Sequence, residues 1–151
     1  MTSASESSLT VLIDDARNFK DGRPVMTART SANAITLLAS LQGSRIGDLW
    51  LDNDLIGGDT VQPVLDPLLA LATMGTPLDV VRIHVHSSNI REGHRVCAEL
   101  VQAGYPARRS YAANMWVRAR FPSPPRGTSL PRPHRDDQPV RTASPTRVFH
   151  D

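Results

Sequence analysis

Acidic residues close two apolar runs in this chain. Asp14-Asp15 follows Leu9-Thr10-Val11-Leu12-Ile13, and Asp52-Asn53-Asp54 follows Ile46-Gly47-Asp48-Leu49-Trp50-Leu51. A third run, Val80-Val81-Arg82-Ile83-His84-Val85, leads into His86-Ser87-Ser88-Asn89. Each run reads as a buried strand. In an open parallel sheet the strands' carboxyl ends share one edge, and ligands bind in the crevice there. Carboxylates gathered at such an edge repel one another unless a cation joins them. With an imidazole, two hydroxyls and an amide beside them, Asp14, Asp15, Asp52 and Asp54 suit phosphate chemistry at a hard metal ion.

The elements that must position these residues alternate along the chain. A strand at 9–14 is followed by a loop through Asp21-Gly22-Arg23-Pro24 and a short strand at 25–28. Thr30 or Ser31 then caps a helix whose Ala34, Leu37, Leu38 and Leu41 keep helical spacing, and Gly43 ends it. After a strand at 47–52 and the flexible Gly57-Gly58, the stripe Val61, Val64, Leu65, Leu68, Leu69 and Ala72 predicts a second helix. Its start has two readings: Pro63 in the first turn with Pro67 inside, or Asp66 as cap with Pro67 at the first position. A strand at 80–86 precedes a capping box of Asn89 and Glu92, which opens a helix over 90–103 ended by Gly104. A last strand is expected within 107–120, where Met115, Val117 and Ala119 alternate with Trp116, Arg118 and Arg120. Strands alternating with helices imply an α/β fold with a parallel sheet covered on both faces.

A chain of 151 residues suffices for one self-supporting core. The domain is expected over 8–121, with a frayed start at 1–7 and a disordered tail at 122–151 in which proline alternates with Arg, Ser and Thr. Acids and bases balance up to 121, so the net charge of +2 belongs to the tail and is no general nucleic-acid signature. Of the 17 basic residues only Lys20 is a lysine. The single cysteine, Cys97, lies on the apolar side of its helix and reads as packing. No signal-peptide core and no membrane-length apolar run is present, so the expected location is the cytoplasm.

The segments LIDDARN, ARTSANAITLL, LWLDNDL and IHVHSSN resemble, in order and spacing, the family of cyclic-phosphate-processing receiver-like domains. The match covers about residues 9–104. That family shows two aspartates after the first strand, Asp-x-Asp after the third and a His-Ser-x-Asn block after the fourth. The resemblance implies a flavodoxin-like, doubly wound, mainly parallel five-stranded sheet. This chain departs from the pattern at Asn53, often histidine in the family, and at Ile90-Arg91-Glu92-Gly93-His94-Arg95, where proline, glycine and an asparagine-methionine pair are common. It also lacks the lysine that a phosphorelay receiver carries at the end of its last strand.

The resemblance, together with the acidic edge, implies a divalent-metal-dependent phosphoesterase acting on a cyclic nucleotide or a 2′,3′-cyclic RNA end. Mg²⁺ or Mn²⁺ would be held by Asp14, Asp15, Asp52 and Asp54. His86 would be the general acid, and Asp52 either a ligand or a nucleophile. Arg17, Arg29, Ser87 and Asn89 are candidate phosphate or substrate contacts, although Asn89 also reads as a helix cap. His84 shares a strand face with His86 and reads as a core histidine. The alternative is a non-enzymatic receiver-like module using the same acidic pocket, and a weaker one is RNA binding through the Arg/Pro tail.

Overall fold

The computed structural model describes residues 8–120. The expected frayed start and disordered tail lie outside the described residues. Seven strands and three helices follow in order: β1 (Leu9–Ile13), β2 (Arg17–Phe19), β3 (Met26–Ala28), α1 (Ser31–Ser40), β4 (Ile46–Leu51), α2 (Gln62–Thr73), β5 (Val80–Val85), α3 (Ile90–Gln102), β6 (Ala107–Arg109) and β7 (Trp116–Arg118). Five strands form one parallel sheet in the order β3-β1-β4-β5-β6. This is the strand order of flavodoxin-like domains.

Alternation along the strands sorts the side chains to two faces. Val11, Ile13, Leu49, Leu51, Ile83 and Val85 enter one core with Ala34 and Leu38 of α1, Val64, Leu65 and Leu68 of α2, and Val96 and Leu100 of α3. All three helices therefore serve one core. The expected stops and caps hold: Thr30 Oγ1 accepts from Asn33 N–H, and Asn89 Oδ1 accepts from Glu92 N–H, both at 3.2 Å. Of the two readings for α2 the first applies, with Pro63 in the opening turn and Pro67 inside the helix. Pro67 forfeits one intrahelical hydrogen bond, and the burial of Val64, Leu65 and Leu68 outweighs it.

The second face differs from a helix-covered one. Leu12 and Trp50 pack there against Phe19, Val25, Met115 and Trp116. Phe19 and Trp116 belong to a two-stranded antiparallel ribbon, β2 with β7, in which Arg17 faces Arg118 and Phe19 faces Trp116. The reason lies in the residues: this face offers Trp50 and His84, stacked at 3.9 Å, and aromatic partners meet them edge-on and stacked. The expected last strand is accordingly two separate ones. β6 completes the parallel sheet, and the alternating segment around Val117 forms the ribbon.

Candidate active site at the carboxyl edge

The sheet register builds the site. Ile13, Leu51 and Val85 lie in one row across β1, β4 and β5. The ladder runs one residue further, with Asp52 N–H donating to Ile13 O and His86 N–H to Leu51 O, both at 2.9 Å. Asp14, Asp52 and His86 are thus neighbours in the next row. Their side chains follow Leu12, Trp50 and His84 by two residues, which puts them on the ribbon face. One ligand atom from each of the three lies within 4.8 Å of the others.

Asp14 is 0% exposed. Its Oδ1 accepts from the backbone N–H of Ala16 and Arg17, both at 2.8 Å, and its Oδ2 accepts from His86 Nε2–H at 2.7 Å. Burial pushes its pKa up, but the His86 and backbone hydrogen bonds outweigh that and hold it below the usual carboxylate value. For Asp52 the compensation, from His86 and a 3.3 Å hydrogen bond from Asp54 N–H, is too weak. Burial first, then the charge on Asp14, push it up to about 6. Asp15, only partly buried, is raised by the same two causes.

The contact with Asp14 uses Nε2 of His86 and leaves Nδ1 buried without a partner. Buried polar atoms are nearly always satisfied, and Trp50 Nε1 and Arg109 Nε share this condition, but of the three only the His86 nitrogen belongs to the cluster with Asp14 and Asp52. Trp116 stacks on the His86 ring at 4.6 Å, and His86 is only 3% exposed. Beside this dyad, Asp15, Asp54, Arg17 and Arg118 line a cleft of about 360 Å³ together with Asp52. Asp54 is exposed, and its carboxylate accepts from Asn53 Nδ2 at 3.2 Å.

Other candidates stand elsewhere. Arg29 does not line the cleft: its guanidinium donates to the carbonyls of Asp14 and Arg17 and to Asn18 Oδ1, clamping the turn between β1 and β2. Asn89 caps α3. Ser87 Oγ accepts from Asn89 N–H, and Ser87 lines the adjoining hollow. His84 is a core residue, its Nε2–H donating to Asp48 Oδ1 at 2.7 Å under the Trp50 ring. Sequence reasoning left Arg118 and Trp116 out of the site. Their period-two spacing was visible, but the partner strand that turns them toward the cleft was not.

A divalent cation fits this donor set. Asp52 carries a charge that burial and Asp14 disfavour, and a cation beside it relieves that cost. The same shift gives a pH dependence. Folded Asp52 keeps its proton up to about pH 6, whereas the unfolded chain loses it near about pH 4. Between these values the folded state binds more protons, so the metal-free protein loses stability as pH rises through the window, by roughly 1–3 kcal/mol. Asp15 acts in the same direction, and the lowered Asp14 contributes only at lower pH. His84, held below its usual value by burial, opposes the trend at the upper end of the window, so the Asp52 share is the difference between wild type and Asp52→Asn. Urea unfolding in chelator across this range checks it. A decline equally steep in Asp52→Asn would refute the assignment.

Sheet order and acidic edge together define a receiver-like α/β domain. The family model of the cyclic-phosphate processing receiver domain matches residues 9–102, and the chain belongs to that family. No curated protein and no solved structure matches it. The match ends with α3, so β7, with Trp116 and Arg118, lies beyond it. Among the described residues no helix is long and apolar enough to cross a membrane.

Proposed function

We propose that the chain is a divalent-metal-dependent phosphoesterase that opens cyclic phosphates, either a cyclic nucleotide or a 2′,3′-cyclic RNA end. The observation that carries this reading is the Asp14–His86 dyad with its orphan Nδ1 next to Asp52: Asp52 lines the cleft rimmed by Arg17 and Arg118, and His86 lines the hollow that adjoins it. Asp52 and Asp15, with Asp14 and Asp54 nearby, would hold Mg²⁺ or Mn²⁺. When bound, such an ion supplies charge neutralisation and a polarised water. Asp14 fixes the imidazole with Nε2–H inward, which makes Nδ1 the nitrogen that faces substrate. As an imidazolium, His86 gives the Nδ1 proton to the ribose oxygen as its bond to phosphorus breaks. Arg17 and Arg118, opposed across the ribbon, would repel each other unless an anion lies between them, and the phosphate's non-bridging oxygens suit that place. Nδ1 is buried and Trp116 covers one face of the ring, so substrate reaches Nδ1 only after a local rearrangement.

The same cover favours the second reading, a non-enzymatic receiver-like module that binds at the acidic pocket. Turnover separates the two. Single-turnover opening of 2′,3′-cyclic adenosine monophosphate by purified full-length chain is expected with Mg²⁺ and not with chelator. Absence of opening with every divalent metal tried makes the binding module the better account.

Phosphorelay is not expected under either reading. The only lysine, Lys20, follows the ribbon strand β2, and Arg109 at the end of β6 donates to the carbonyls of Val85 and Ser87. No ammonium therefore stands ready to hold an aspartyl phosphate. Acetyl phosphate is expected to leave the intact mass unchanged. A stable phosphate adduct that disappears in Asp52→Asn would reverse this conclusion.

A further inference from the structure

Beside the acidic cleft the same rim opens into a second hollow of about 280 Å³. The two share Arg17, Ser88 and Trp116, so one ligand can occupy both. The chemistry changes between them. The second hollow has no carboxylate in its lining; Arg17, His86, Ser87 and Ser88 line it together with Ser110, Tyr111 and Trp116. Tyr111 is 68% exposed, which is unusual for a large aromatic side chain without a core role. Its ring is nonetheless held. The Arg109 guanidinium lies over it at 5.0 Å, and its hydroxyl meets His94 Nε2 at 3.4 Å. The chain from Ser110 to Trp116 is closed on itself by Trp116 Nε1–H donating to Ala112 O at 3.0 Å. Arg109 is positioned in turn by close packing against Gly93, where a Cβ would come within 2.4 Å of Nη1.

We infer that this hollow takes the nucleobase of the substrate, with the exposed Tyr111 ring as its stacking face and Ser88 and Ser110 at its polar edge. A planar group with polar edges matches the Tyr111 and Ser110 part of this lining, and Arg17 and His86 in the same hollow leave the phosphate beside it. A pre-positioned aromatic ring binds such a group with little ordering cost. Hydroxyls donate or accept, so they tolerate either polarity at a base edge. The inference rests on the proposed reaction only for the place of the phosphate, next to Arg17, and it makes the substrate a nucleoside phosphate rather than a bare sugar phosphate.

The test is calorimetric binding of adenosine monophosphate, uridine monophosphate and ribose 5-phosphate to the full chain, in Mg²⁺ and in chelator. None of these probes needs turnover. Both nucleotides are expected to bind about tenfold or more tighter than ribose 5-phosphate, the purine more tightly than the pyrimidine. Tyr111→Ala should weaken nucleotide binding by roughly 5- to 100-fold, as loss of one stacking partner does, while leaving ribose 5-phosphate unchanged. Tyr111→Phe should restore it. Equal binding of ribose 5-phosphate, no binding of any probe in either condition, or an unaltered Tyr111→Ala variant would overturn the inference. Base-dependent binding without opening of any cyclic phosphate would leave the base pocket and remove the phosphoesterase. Opening of cyclic phosphates without base preference would do the reverse.

Discussion

His86→Ala is expected to slow single-turnover opening of a 2′,3′-cyclic phosphate by about 10² to 10⁴-fold, the usual contribution of a positioned general acid. The leaving ribose oxygen must gain a proton as the ring opens, and Nδ1 is the orphan nitrogen beside the cleft. Removing the ring also unpairs the buried Asp14, so the variant will be less stable. His86→Gln is the companion, because its amide can still donate to Asp14 but has no proton to transfer. Both variants should keep the rise in melting temperature that saturating metal produces, which follows RT ln(1 + [L]/Kd). Loss of that rise in both would make His86 a metal ligand instead, a role its distance from Asp14 and Asp52 also permits. Asp52→Asn should remove turnover and metal stabilisation together. His84→Ala is the control: its ring lies between Trp50 and Asp48, so stability should fall more than rate. Wild-type speed in His86→Ala would end the assignment of the acid.

The second expected result is a difference of sign between two adjacent carboxylates. Asp14→Ala should destabilise the metal-free protein by about 1–3 kcal/mol for each buried donor it leaves unpaired, the first being His86 Nε2–H. It also strands two backbone N–H donors, those of Ala16 and Arg17. Asp52→Asn should stabilise the metal-free protein near neutral pH by about 1–2 kcal/mol, because the charge it removes is one that burial and Asp14 already disfavour. Urea denaturation of both variants in chelator, at one pH above about 7, reads the two signs directly. If both substitutions stabilise, Asp14 is a repelled carboxylate awaiting a cation, and the dyad has no structural part. If both destabilise, Asp52 is satisfied in a way the geometry does not contain.

These signs could not have been read from the sequence. Asp14-Asp15 and Asp52-Asn53-Asp54 look alike as strings of acids, and all four carboxylates were candidates for a metal, Asp52 the strongest. The fold separates them by hydrogen bonding. Asp14 Oδ1 meets two backbone N–H groups at the turn into β2, while Asp52 accepts only from Asp54 N–H, at 3.3 Å. Arg29 shows the same limit. Its charge and position suggested a phosphate contact, but three oxygens of the β1–β2 turn occupy its guanidinium.

What the sequence determined by itself is the parallel sheet and the row at its edge. Apolar runs at 9–13, 46–51 and 80–85, too short for helices and together rich in β-branched residues, read as buried strands, and parallel neighbours in register bring the residues after them together. Asp14, Asp52 and His86 therefore meet for a reason that is local to each strand and common to all three. The ribbon is different in kind. β2 and β7 are three residues each; the alternation around β7 is legible but β2 has none to read, and the two pair across about a hundred intervening positions. Only the aromatic face made by Trp50 and His84 gives Phe19 and Trp116 something to pack on, and that face exists only after the sheet has formed. The cover over His86, the opposed Arg17 and Arg118 and the hollow beside Tyr111 all depend on that late, non-local contact, so the tertiary structure alone decided them.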